Sequence, residues 1–154
     1  MQKIITAFLN KPWVQRFIRF GIVGASGILV NSAALWLFHE RGKIPLWLAS
    51  PLAIAVAIYY NFTLNNLWTW RDSRDSRQYK YLDRVWRYYL SNLLGNFINY
   101  LILIVLSSYY DFYYLFANLL GIAAGMLSNF ILSDKWVFKA LKTEIQKDDE
   151  EDLK

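Results

Sequence analysis

The chain contains no cysteine, so it has neither a disulfide framework nor a thiolate nucleophile. Its one histidine, His39, stands in a predicted loop and has no second histidine with which to form a metal pair. No Asp-x-Asp nucleotide-sugar motif occurs, and Asp72 and Asp75 read as a charge-balanced loop between arginines. The expectation is therefore no catalysis, no metal and no cofactor. Charge is also scarce, at 19% of 154 residues against roughly 25% in a typical soluble domain. It is missing altogether from four long stretches, 20–38, 46–67, 88–106 and 113–132, none of which holds Lys, Arg, Asp or Glu.

Those four stretches are what the sequence has instead. A membrane-spanning helix needs about 20 mostly apolar residues, and the composition is 56% hydrophobic and 18% aromatic. The pattern predicts an all-α membrane protein with four transmembrane helices. Trp13, Trp36, Trp47, Trp68, Trp70, Trp86 and Trp136 gather near the span ends, as interfacial aromatics do. The net charge of +5 does not indicate nucleic acid, because the cations cluster beside the apolar runs.

Lys3, Lys11, Arg16 and Arg19 precede the first span, six Lys/Arg occupy 71–87, and Lys135, Lys139, Lys142 and Lys147 close the chain. The loop after the first span has only Arg41 and Lys43, and the loop after the third has none. The positive-inside rule then predicts both termini and the middle connection in the cytoplasm. Residues 1–19 read as a cytoplasmic interfacial segment, 20–138 as the membrane domain and 139–154 as a charged cytoplasmic tail. Ile4, Ile5, Phe8 and Leu9 suit one face of a short surface helix ended by Pro12. The acidic run 148–152 reads as solvated.

The chain also aligns with itself. A shift of 68 positions carries Arg19 onto Arg87, Gly27 onto Gly95, Asn31 onto Asn99 and Leu35 onto Leu103. The same shift lays Asn61-Phe62-Thr63-Leu64-Asn65 over Asn129-Phe130-Ile131-Leu132-Ser133, and Trp68 over Trp136. Two tandem two-helix repeats follow, about 17–70 and 85–138. An even number of spans per unit inserts both copies the same way, so they should be related by a pseudo-two-fold axis along the membrane normal.

Small residues predict where the helices meet: Gly21-x-x-x-Ala25 with Gly24 and Gly27 in the first span, Ala53-x-x-x-Ala57 in the second and Gly121-x-x-x-Gly125 in the fourth. Asn61, Asn65 and Trp68 share one helix face, repeated by Asn129, Ser133 and Trp136, while Asn31 and Asn99 lie deeper. Membrane-embedded amides serve either as glue between helices or as a lining that hydrogen-bonds a polar headgroup. Arg19, Arg84, Arg87 and Lys135 form a basic rim beside this stripe. Such a rim serves topology and lipid binding, and its arginines offer bidentate bonds to a phosphate.

At these residues the chain resembles the GtrA-like family of small four-span membrane proteins. An Arg before each odd helix and a twice-used ending of the Asn-Phe-x-x-Asn-x-x-Trp-x-Phe type carry the likeness over about residues 14–139, the first copy reading Asn61-Phe62, Asn65, Trp68 and Trp70 and the second Asn129-Phe130, Ser133, Trp136 and Phe138. The family usually has Asn-Arg before the Trp region; here the first copy reads Asn65-Asn66-Leu67 and the second Ser133-Asp134-Lys135. The resemblance implies work with polyprenyl-phosphate sugars in the bacterial plasma membrane. One expectation is the flipping of an undecaprenyl- or related lipid-phosphate monosaccharide for cell-surface glycan modification. The other is a non-transporting anchor or accessory subunit of a polyprenyl-phosphate glycosyltransferase. The implied partners are that lipid and a membrane glycosyltransferase, and exposed small-residue faces allow a homo-oligomer. Small multidrug transporters share only the size, since they rely on a membrane-embedded Glu.

Overall fold

The computed structural model of the protein describes residues 11–73 and 77–140. Helix α1 spans Pro12–Trp36 and ends in a wide π turn, Leu37–Arg41. Helix α2 spans Leu46–Leu64 and ends in the π turn Asn65–Thr69, followed by a single 3-10 turn, Arg71–Ser73. Helix α3 spans Tyr81–Tyr109, and α4 spans Tyr114–Leu132 with a π turn at Ser133–Val137. All four helices are long and apolar enough to cross a membrane. The described residues form no β-strand beyond one isolated antiparallel bridge between Arg77 and Ala140. The expected all-α, four-span architecture is the one adopted.

Several boundaries differ from the sequence reading. Pro12 opens α1. Proline suits that first position, because its ring presets φ and its missing N–H would lack a helical partner there anyway. Helices α1 and α3 begin well before the uncharged stretches, so Arg16, Arg19, Arg84 and Arg87 are helical. Counting apolar residues finds only the hydrocarbon-spanning part, whereas backbone hydrogen bonding continues through the interface. His39 lies in the last turn of α1 rather than in a loop, its Nδ1 3.0 Å from the Ile44 carbonyl. The segment 4–9 and the acidic run 148–152 fall outside the described residues.

The helices pair as two hairpins, α1 with α2 and α3 with α4. Within each hairpin a glycine admits an asparagine. The space a Cβ would take on Gly27 is filled by the Asn61 amide, and that on Gly95 by the Asn129 amide. Asn99 fills the same space at Gly121, and a Cβ on Gly125 would stand 2.7 Å from the Gly95 carbonyl oxygen. In lipid, where apolar contact between helices gains little over contact with acyl chains, this close approach supplies the packing. Two tight loops join the hairpin arms, with Lys43 at φ 53° and Asp111 at φ 51°, again 68 residues apart.

The two hairpins meet mainly at the end that carries the basic residues. Trp70 and Phe138 stack with centroids 4.6 Å apart and planes 15° from parallel. Around them Phe20 meets Phe130 at 5.7 Å, and Tyr88 meets Phe62 at 5.6 Å. These are equivalent contacts under the 68-residue shift, as are Phe20–Trp70 at 5.9 Å and Tyr88–Phe138 at 6.2 Å. Trp70, Phe62, Tyr88 and Phe138 are fully buried, and each such ring removes about 150–250 Å² from solvent. Over the rest of their length the helices keep large apolar side chains such as Leu29, Trp47 and Phe97 exposed, as a lipid-facing surface requires.

Candidate functional site: an asparagine-lined cavity between the hairpins

Directly behind the aromatic cluster lies a cavity of about 440 Å³, within the range of ~300–1,000 Å³ usual for small-ligand sites. Its basic-end boundary is Phe20 and Tyr88, the residues that follow Arg19 and Arg87. One wall is α1, with Gly21, Gly24, Ala25 and Ile28; the facing wall is α3, with Asn92, Gly95, Asn96 and Asn99. Asn61 closes one side from α2, and Asn129, Met126, Gly125 and Ile122 close the other from α4. From Phe20 to Ile28 the helix rises about 12 Å, so the chamber reaches well into the span.

Five asparagines thus converge on one space. The Oδ1 atoms of Asn61, Asn99 and Asn129 are buried and accept no hydrogen bond from the protein. Asn92 donates to the Tyr88 carbonyl at 2.9 Å. The Asn61, Asn99 and Asn129 oxygens fill the places a Cβ would take on Gly27, Gly121 and Gly95, so they turn onto the neighbouring helix, an arrangement that costs about 1–3 kcal/mol for each amide oxygen left without a donor. Gly24 keeps the cavity open, since a Cβ there would meet nothing within 4 Å. The small-residue face of α1 is therefore divided: Gly27 serves helix packing, whereas Gly24 lines empty space.

The other residues singled out from the sequence lie elsewhere. Asn31 does not line the cavity, although its Oδ1 is likewise buried without a donor. Asn65 is buried in the hairpin junction, donating to the Tyr88 hydroxyl at 2.8 Å and accepting from Thr69 at 2.7 Å. Ser133, its counterpart at the shift of 68, is fully buried, and its Oγ has no hydrogen-bond partner. Arg19 lies 5.9 Å from the centroid of the Trp68 ring and donates to the Trp68 carbonyl at 3.5 Å. Arg87 stands 4.9 Å from the Trp136 ring and 3.7 Å from that of Tyr79. Each arginine is thus held on the tryptophan of its own repeat.

Arg84 is buried, hydrogen-bonds the Asn66 side chain and lies over Tyr81 at 5.7 Å. Its equivalent at the 68-residue shift is Arg16, which pairs with Asp134 at 2.8 Å and also with Asp72. Asp134 additionally accepts the Trp70 indole N–H at 2.8 Å. These two crossed ties, Arg16 to Asp134 and Arg84 to Asn66, fasten the hairpins beneath the aromatic cluster. Burial pushes the Asp72 carboxyl up, but the hydrogen bond and charge of Arg16 outweigh it and hold Asp72 below the ordinary carboxylate range. Lys135 is exposed on a separate surface pocket with Arg16, Asp134 and Lys139. Among the described residues no three His, Asp or Glu side chains gather to hold a metal ion.

Sequence reading missed Asn92 and Asn96, although Asn92, Asn96 and Asn99 stand at i, i+4 and i+7 and must share one face. It also missed the register match of Arg16 with Arg84.

The sequence model described as GtrA/DPMS, transmembrane domain, matches residues 19–138. The chain belongs to the GtrA/DPMS transmembrane-domain family. It is accordingly a multi-pass membrane protein, and the family's membrane domain takes in all four helices and the cavity between them. One relative is named dolichol-phosphate mannosyltransferase, from Pyrococcus furiosus, and is 38% identical over 120 residues. The match takes in 78% of this chain but 33% of that protein, so the chain spans about a third of the length of the relative.

Proposed function

We propose that this GtrA/DPMS-family protein translocates a polyprenyl-phosphate-linked monosaccharide across the plasma membrane, which we take to be a bacterial inner membrane, for cell-surface glycan modification. The observation that carries the reading is the chamber inside the span, lined by five asparagines and bounded by both hairpins. Sugar hydroxyls donate to amide oxygens and accept from amide N–H groups, so the chamber replaces the hydration a head group loses on entering the membrane. The lipid tail stays among the exposed apolar faces. Arg19 and Arg87, one residue before the chamber's boundary on each side, are the groups we assign to the phosphate, with Lys135 as a peripheral cation. Arg84, already engaged by Asn66, is assigned to holding the hairpins together. The two repeats are read as related by a pseudo-two-fold axis along the membrane normal, both termini cytoplasmic. Since no carboxylate lines the chamber, transport runs down the substrate gradient or is coupled by other means.

Proteoliposomes carrying a fluorescent polyprenyl-phosphate hexose test this directly. Faster loss of the inner-leaflet probe than in protein-free vesicles, abolished by the Arg19→Ala/Arg87→Ala pair, is expected; equality with protein-free vesicles would sink the carrier reading.

A second reading is favoured by the match to a mannosyltransferase of which the chain covers 33%. In it the chain anchors or assists a polyprenyl-phosphate glycosyltransferase. It predicts that a glycosyltransferase co-purifies with the chain and that Asn61→Ala or Asn129→Ala leaves glycosylation intact.

A further inference from the structure

Besides the interfaces inside each hairpin, the bundle has two seams where one hairpin meets the other, α2 with α3 and α1 with α4. The shift of 68 relates the first to the second, yet the two are built differently. Tyrosines bridge the α2–α3 seam. Tyr89 of α3 donates to the Ala55 carbonyl of α2 at 2.6 Å, and the Tyr59 and Tyr81 hydroxyls lie 3.1 Å apart. Tyr81 and Tyr89 stand about 12 Å apart along α3, so the seam is tied at two levels. Parting it leaves the Tyr89 phenol without a partner in lipid, where no water replaces the bond.

The α1–α4 seam has no equivalent of these bridges. Gly21 stands in the place of Tyr89 and Ala123 in that of Ala55, while Leu127 replaces Tyr59 and carries no hydrogen-bonding group. The Met126 thioether reaches across instead, its Cε 3.1 Å from the place of a Cβ on Gly21. An unbranched methionine adapts its shape readily. Gly21, Ala25, Ile122 and Met126 of this seam also line the chamber, whereas Ala55, Tyr59 and Tyr89 of the bridged seam do not.

We infer that the chamber opens sideways into the bilayer through the α1–α4 seam alone, the prenyl chain of the carried lipid lying between these two helices while the tyrosine-bridged α2–α3 seam stays shut. The inference rests on the carrier reading above and adds to it the route of the chain. A head group inside the bundle and a chain in lipid are joined through a gap between helices. A prenyl chain between α1 and α4 exchanges apolar contacts for apolar contacts. Between α2 and α3 it would break hydrogen bonds that it has no group to remake.

The test uses the full chain in phosphatidylcholine/phosphatidylglycerol vesicles with a trace of polyprenyl-phosphate hexose that carries a diazirine in its prenyl chain. After illumination, peptide mapping by mass spectrometry should place most adducts on α1 and α4 around Gly21, Ala25, Ile122 and Met126. Excess unlabelled polyprenyl-phosphate hexose should displace them. Adducts that are absent, shared evenly between the seams, concentrated around Ala55 and Tyr89, or not displaced would overturn the inference. This readout does not require flipping. Displaceable α1–α4 adducts on a protein that fails to flip would keep the seam as the seat of the chain and remove the carrier reading. In the flipping assay, Gly21→Tyr supplies across α1–α4 the phenol that Tyr89 supplies across α2–α3, with only the far end of Met126 to move aside. That variant should keep the parent's thermal stability and lose flipping. Parental flipping with the fold intact would also overturn the inference, and if the variant does not fold, the adduct map of the parent decides.

Discussion

A glycine in a membrane helix can be kept for what its missing Cβ admits or for what it leaves empty, and both kinds occur here. Gly95 admits the Asn129 amide, so Gly95→Ala must displace a packed side chain. The expected cost is about 1–3 kcal/mol, read as lost thermal stability in detergent. Gly24 faces open space, so Gly24→Ala should stay within about 0.5 kcal/mol of the parent. Gly24→Leu should keep the fold yet fill the chamber and abolish flipping; retained flipping would place the transport route elsewhere. Asp72 is a residue-scale case of linkage. Its depressed pKa means that the tie to Arg16 is present above the ordinary Asp value of about 3.9 and lost as pH falls through the lower folded value. Acid unfolding of Asp72→Asn should accordingly begin with less loss in that window than the parent shows, a difference measurable by following tryptophan fluorescence against pH.

At the scale of elements, the π turns after α2 and α4 do what a regular helix end would not. Each closes with an i to i−5 bond, Trp70 N–H to the Asn65 carbonyl at 3.0 Å and Phe138 N–H to the Ser133 carbonyl at 2.8 Å. They end where Trp70 and Phe138 meet in the stack that joins the hairpins. Trp70→Ala should cost about 3–5 kcal/mol, as large-to-small changes of buried aromatics do. Trp70→Phe should keep the stack and lose only the indole bond to Asp134, about 1.5–3 kcal/mol. Denaturant titration in detergent separates the two; equal costs would mean that the hydrogen bond, not the ring, holds the junction. The spans and the repeated motif were legible at this scale because hydropathy and a gapless shift need no knowledge of partners. The widened turns were not, because a π turn differs from an α turn only in which carbonyl a given N–H selects.

For the whole molecule, the distribution of Lys and Arg argues that the end with the termini and the 71–87 connection faces the cytoplasm. The absence of cysteine makes a clean test possible. Glu40→Cys and Tyr110→Cys, both exposed at the hairpin loops, should react with a membrane-impermeant maleimide added outside intact cells. Gln78→Cys should react only after permeabilisation. The reverse pattern would invert the topology and with it the side of the membrane on which Arg19 and Arg87 lie.

The sequence by itself determined the four helices, their apolar faces and the internal 68-residue register, since these follow from local composition and from the absence of charge in the spans. It also pointed to Asn61, Asn99 and Asn129 as polar groups in an apolar medium, but left open whether they were glue or lining. Only tertiary structure decided where they sit: each amide fills the place of a glycine Cβ on a neighbouring helix, while its residue also borders the cavity. The same holds for the basic residues. Composition cannot tell Arg84, buried against Asn66, from Arg87, laid on Trp136, because the difference lies in which side chains the other hairpin brings within reach. Local sequence sets what each helix is, and the cavity is a property of the gap between two hairpins, which no single helix encodes.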